Sequence, residues 1–157
     1  MTVAVWRIAV EAPAYSANDL SGTGAKSTGG RWNAKGTPLV YCATNIALAT
    51  LETVHYLQSG GLPFNRYLVR IDVPDAVWDT RQLLAPLPGG WDAVPAGLAS
   101  RAAGDAWIRS GASALLLVPS VIVPDEYNVL INPHHVHAAH ITAATVRRWL
   151  YDPRLFP

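Results

Sequence analysis

The chain is 157 residues long, half of them hydrophobic and 15% charged, with a formal net charge of +1. That length provides one domain with a core of its own, and that composition excludes a disordered chain. The charge balance, with Arg147-Arg148 as the one adjacent basic pair, excludes the electrostatic footprint of a nucleic-acid binder.

Cys42 is the single cysteine, which excludes an internal disulfide and fits a reducing compartment. The start, Met1-Thr2-Val3-Ala4-Val5, lacks the basic and apolar stretches of a secretory signal. The longest apolar stretch, Ala114 to Pro124, is too short to span a bilayer and holds Pro119 and Ser120. A cytoplasmic protein without membrane contact is expected.

Along the chain, Val3 to Val10 reads as a strand bearing Trp6 and Arg7. Residues 11–30, rich in Ser, Gly, Ala and Asn, read as a loop long enough to suggest function. Leu39 to Ala43 is a short strand, and Thr44 or Asn45 can cap a helix over 45–58 that Gly60-Gly61 ends. Arg66 to Val73 alternates, with Tyr67, Val69, Ile71 and Val73 on one side and Leu68, Arg70 and Asp72 on a wetter one. Pro74 closes that strand, and Pro86 to Pro95 is a turn-rich linker around Trp91. A helix spans Leu98 to Ser110 and stops at Gly111. Strands follow at Ala114–Val118, Asn128–Ile131 and Ile141–Leu150. Short strands with two helices between them predict an α+β domain on a curved or split sheet.

The most informative pair is Arg31, in Gly29-Gly30-Arg31-Trp32-Asn33, and Glu52, twenty-one residues later. Ile46, Ala47, Leu48, Ala49, Leu51 and Val54 surround Glu52 at helical spacing, so its carboxylate has little access to bulk water. A buried charge persists when it is paired and hydrogen-bonded, or when chemistry uses it. Arg31, delivered by a glycine turn, can bind a phosphate or carboxylate with its fork of donors, or form a structural ion pair with Glu52. Glu52 can stabilise a cationic transition state or hold a sugar hydroxyl, or simply face a local water channel.

Ser120 interrupts an apolar segment and either caps a turn or faces a site; no GxSxG elbow surrounds it. Trp32 and Tyr41 can stack on a planar ring or serve as core aromatics. Asn128 opens an apolar strand and can order a ligand or its own turn. His134, His135, His137 and His140 read as surface residues of a loop after Asn132-Pro133, without the spacing or partners of a metal site. No P-loop or GxGxxG is present.

These segments in their order resemble the RES-domain family. The resemblance rests on Trp6-Arg7-Ile8, Gly29-Gly30-Arg31-Trp32-Asn33, Gly36-Thr37-Pro38, Val40-Tyr41 and Ala49-Thr50-Leu51-Glu52. It continues through Gly104-Asp105-Ala106-Trp107, Val118-Pro119-Ser120, Asn128 to His134 and Tyr151-Asp152-Pro153-Arg154-Leu155. It covers nearly the whole chain, so residues 1–157 are expected to form one RES domain. Lys26-Ser27-Thr28 and the His134-His135 doublet depart from the pattern in loop detail.

The resemblance implies a fold similar to ADP-ribosyltransferases and a toxin of a toxin–antitoxin pair. Such toxins deplete NAD by cleaving its nicotinamide–ribose bond, with water or phosphate as acceptor; some relatives transfer ADP-ribose to a protein instead. It also implies a Xre-type DNA-binding antitoxin that blocks the site within a larger hetero-oligomer. The name-giving Arg, Glu and Ser map to Arg31, Glu52 and Ser120. NAD is then the substrate and no metal is expected, because nicotinamide already leaves as a neutral base. Glu52 suits the oxocarbenium-like ribose, Arg31 and Arg7 the pyrophosphate, Tyr41 the nicotinamide or ribose, and Ser120 and Asn128 other polar groups of the dinucleotide. A reading of another class is a binding module without catalysis, in which an Arg31–Glu52 pair is only structural.

Overall fold

Seven strands form one mixed sheet in a computed structural model that describes residues 1–54 and 63–156. They are β1 (Thr2–Val10), β2 (Val40–Ala43), β3 (Arg66–Pro74), β4 (Gln82–Leu83), β5 (Leu115–Pro119), β6 (Tyr127–Ile131) and β7 (Thr142–Arg148). Their order is β4-β5-β6-β2-β1-β3-β7. All neighbours are antiparallel except the β4–β5 pair, so the α+β architecture is a single open sheet.

Among the described residues four α-helices accompany the strands: α1 (Thr23–Thr28), α2 (Ile46–Val54), α3 (Asp75–Trp78) and α4 (Leu98–Ser110). Helix α4 has the expected bounds and ends at Gly111, whose φ of 61° supplies the left-handed turn that closes a helix. Asn45 caps α2: its side-chain oxygen accepts the Leu48 N–H at 2.8 Å. The expected end of that helix, at 55–58 with Gly60-Gly61, lies outside the described residues.

Three elements differ from the sequence expectation. The loop over 11–30 contains α1, one and a half turns with no buried side chain and hence no apolar periodicity to announce it. Helix α3 follows directly on Pro74, whose fixed φ suits a helix entry as well as a strand stop. Strand β4 is two exposed residues, held on the sheet edge by parallel pairing with Leu116 and Leu117.

Strand alternation divides the core between two faces of the sheet. Val5, Cys42, Val69, Ile71, Val129 and Ile131 pack on one face. On the other, Ile8, Ala43 and Leu68 lie under α2, and Leu116, Val118 and Leu130 lie under Trp32 and α4. Cross-strand partners share a face, and the registers Trp6↔Ala43, Ala43↔Asn128 and Asn128↔Val118 carry this second face across four strands. Tyr41, Ser120 and Asn128, singled out in the sequence, lie at this face, where Glu52 of α2 meets Ser120 and Asn128.

Candidate active site

The Gly29–Asn33 turn is built around Asn33, a fully buried side chain. Its amide donates to the carbonyls of Ala25 and Thr37, each at 2.9 Å, and its oxygen accepts the Tyr41 hydroxyl. The Tyr41 oxygen in turn accepts the Trp32 N–H at 3.0 Å. Gly30 permits this closeness, because a Cβ there would stand 2.6 Å from the Tyr41 hydroxyl. From the other side, Asp105 of α4 accepts the Ala34 N–H at 3.1 Å. Gly104 lets α4 approach so closely that a Cβ would lie 1.8 Å from the Trp32 carbonyl oxygen.

Arg31 projects from this locked turn. Its Nη1 donates to the carbonyls of Trp91 and Ala93 at 2.9 and 2.8 Å, which draws the 86–95 linker against the turn. Trp32 is 2% exposed, and its ring stacks on Trp91 with centroids 6.5 Å apart. Trp32 is therefore a core aromatic with no face available for a ligand. Nε and Nη2 of Arg31 have no hydrogen-bond partner among the described residues, so two donors of the fork remain for an anion.

Helix α2 turns Leu48 and Ala49 onto the sheet, and Glu52, four and three residues on, follows the same stripe. The partly buried carboxylate meets β6 and the end of β5. Ser120 Oγ donates to Glu52 Oε1 at 2.6 Å, and Asn128 Nδ2 donates to the same oxygen at 2.9 Å. Oε2 has no partner among the described residues. Ser120 is fully buried, and its oxygen also accepts the N–H groups of Ile122 and Val123, each at 3.1 Å. It thus closes a turn and faces Glu52 at once. Asn128 Oδ1 is buried without a partner among the described residues, an acceptor left open beside the carboxylate.

The structural ion pair between Arg31 and Glu52 is not formed. Among the described residues the ion pairs are Arg70–Asp72 and Arg154–Asp152. Arg31 is drawn instead to linker carbonyls, and Glu52 to the hydroxyl and amide beside it.

The structure brings Glu52, Ser120 and Asn128 into direct contact, with Tyr41 on the same sheet face. Arg7 is not among them. Its partner across β1 and β3 is Val69, which packs on the opposite face, and its charge is felt by Cys42 there. Burial raises the Cys42 thiol to about 12, with Arg7 opposing. His137 and His140 lie on a 3-10 turn, Val136–His140, which His134 and His135 precede; His135 caps it, its Nδ1 accepting the His137 N–H at 3.0 Å. No group of three His, Cys, Asp or Glu side chains suited to a metal occurs among the described residues.

Asn33, Gly104 and Asp105 carry the turn's geometry, yet sequence reasoning gave them no role. Gly104 was the available signal, since a glycine inside a helix costs about 1 kcal/mol against alanine and marks close approach.

The RES domain family model matches residues 4–153. The chain belongs to the RES domain family. This RES domain is 59% identical to the Prs ADP-ribosylating toxin of Sphingobium sp. (strain YBL2), over 99% of this chain and 98% of that protein. It is 37% identical to Toxin Res of Pseudomonas putida, over 97% and 99% of the two chains. Toxin Res of Yersinia enterocolitica is 35% identical over 90% and 93%. Among solved structures, the M. tuberculosis MbcT–MbcA toxin–antitoxin complex aligns with a TM-score of 0.65 at 17% identity, covering 94% of this RES domain and 85% of that chain. At that identity the likeness shows the fold. No helix among the described residues is long and apolar enough to cross a membrane.

Proposed function

We propose that this RES domain is the toxin of a toxin–antitoxin pair and breaks the nicotinamide–ribose bond of NAD. The observation that carries this reading is the carboxylate of Glu52, fixed through one oxygen by Ser120 and Asn128 with the other left open. Nicotinamide departs from NAD with the electron pair of the broken bond and becomes a neutral base, so the site needs no acid for the leaving group. It needs a negative charge beside the ribose as positive charge develops there, and Glu52 Oε2 supplies one. The open acceptor of Asn128 suits a hydroxyl or carboxamide donor of the substrate. The remaining donors of Arg31 suit the pyrophosphate, and Tyr41 borders the nicotinamide or ribose. Ser120 acts through Glu52, because its hydroxyl is fully used within the protein. Arg7, across the sheet, has no part in this reading.

The acceptor can be water, phosphate or a protein. The 59% identical relative is named for ADP-ribosylating Prs, which supports transfer to a protein above release of free ADP-ribose. An antitoxin partner is supported by the toxin–antitoxin complex that shares the fold, and its Xre type by the family resemblance alone.

The test is incubation of antitoxin-free protein with NAD, with and without phosphate and with and without purified Prs, resolved by mass spectrometry. Nicotinamide release is expected from wild type and not from Glu52→Gln. ADP-ribose, its phosphorylated form or a modified Prs then names the acceptor. Intact NAD in every arm, with folded protein, sinks the proposal and leaves the binding module.

A further inference from the structure

Helix α2 is gripped from two sides. Leu48 and Ala49 sit on Ile8, Ala43 and Leu68 of the sheet, and the chain beyond β7 folds back so that Trp149, Tyr151, Leu155 and Phe156 join the same cluster. This returning segment is well tied. The Trp149 N–H donates to the Arg66 carbonyl at 2.8 Å, and Asp152 caps the turn Pro153–Leu155 by accepting the Arg154 N–H at 2.8 Å. Tyr151 is 4% exposed and meets the Phe156 ring edge-on.

Between the segment and α2, one side-chain hydrogen bond is formed among the described residues: Tyr151 Oη with Thr53 Oγ1 at 2.8 Å. Thr53 donates its own proton to the Thr50 carbonyl at 2.9 Å, so the tyrosine is the donor. Thr53 directly follows Glu52 in the last described turn of α2. Apolar packing lets a helix roll about its axis; a directed hydrogen bond resists that roll. With the carboxylate several ångströms from the axis, a roll of ~10° shifts it by ~1 Å, a displacement that can cost ~100-fold in rate.

We propose that Tyr151, acting through Thr53, is a positioning residue that sets the roll of α2 and so the place of Glu52 Oε2. This rests on the reading of Glu52 as the carboxylate facing the ribose. The test is a double-mutant cycle of Tyr151→Phe and Thr53→Val on NAD turnover, with backbone hydrogen exchange of Leu51 to Thr53 followed in the same proteins. Both substitutions keep the side chain's shape, and circular dichroism checks the fold.

Each single change is expected to lower kcat about five- to tenfold with KM within about twofold, and to speed exchange in the last turn of α2. The double variant should be no slower than Thr53→Val alone, because the bond that Tyr151→Phe removes is already absent there. Thr53→Ser, which keeps the hydroxyl, should restore kcat. Losses that multiply in the double variant would overturn the proposal, as would wild-type kcat in Tyr151→Phe beside an inactive Glu52→Gln. A Glu52→Gln enzyme as active as wild type would instead bring down the functional reading, and the catalytic side of this one with it.

Discussion

The Ser120 hydroxyl donates a hydrogen bond to Glu52 Oε1 at 2.6 Å while its oxygen accepts the N–H groups of Ile122 and Val123. One hydroxyl thereby couples the turn after β5 to the carboxylate on α2. Ser120→Ala breaks both links. The two N–H groups lose their acceptor, and Glu52 keeps only Asn128. An unsatisfied buried donor costs about 1–3 kcal/mol, and a hydrogen bond to a charged group is worth about as much. Ser120→Ala should therefore lower stability in urea denaturation by that amount and cut kcat at least about tenfold. Wild-type turnover in the folded variant would remove Ser120 from the site.

Glu52→Gln separates charge from shape. The Gln oxygen can still accept from Ser120 and Asn128, so the fold and the melting temperature should stay close to wild type. The charge at the open oxygen is lost, and nicotinamide release should fall by at least about a hundredfold, the scale seen when a transition-state stabiliser is removed. A Gln variant that melts as wild type but turns over normally would mean that the carboxylate serves structure alone.

How much of this was legible beforehand follows from what each residue reports locally. Strands β1, β3, β5 and β6 and helix α4 announce themselves, because one or both of their faces are apolar with a clear period or run and because Gly111 and Pro74 punctuate them. Glu52 stands out as a charge inside an apolar helix, and Arg31 as a cation on a glycine turn. Their partners do not stand out. Nothing near Arg31 in sequence foretells the carbonyls of Trp91 and Ala93, sixty and sixty-two residues away. The choice between faces for Arg7 depends on sheet register, which is a tertiary property. Helix α1 and strand β4 hold no fully buried side chain and so leave little trace in the hydrophobic pattern.

Gly104 tests the support beneath the Arg31 turn. A methyl group there would stand 1.8 Å from the Trp32 carbonyl oxygen, so α4 or the turn must move. Helix propensity alone would favour alanine by about 1 kcal/mol. Overpacking should outweigh that gain, leaving Gly104→Ala less stable by about 1–3 kcal/mol in urea denaturation. A stabilised variant would show that the close approach of α4 to Trp32 is not maintained in solution.

Cys42 provides a pH readout. Burial holds its pKa near 12 against an ordinary 9.0, so the folded state keeps the proton over a range in which the unfolded chain gives it up. This contribution to stability is complete below pH 9 and declines as pH rises toward 12. At neutral pH a disulfide reagent should react with the thiol only after denaturant is added, as followed by absorbance of the released thiolate. Fast labelling of the native protein would contradict the burial of Cys42.

In the proposed reading Arg31 divides its donors between the linker carbonyls of Trp91 and Ala93 and the pyrophosphate, a division that lysine cannot make. A lysine ammonium is a point charge, able to satisfy the Trp91 and Ala93 carbonyls or a phosphate pair, without the planar fork that serves both. Arg31→Lys should therefore bind ADP-ribose, which carries the pyrophosphate, about tenfold more weakly, the scale of a lost charge-assisted hydrogen bond. Nicotinamide carries no phosphate, so its inhibition constant should hardly change. The comparison is made by competitive inhibition of NAD turnover. An equal loss for both ligands would mean that Arg31 shapes the whole pocket through the linker and makes no separate contact with the pyrophosphate.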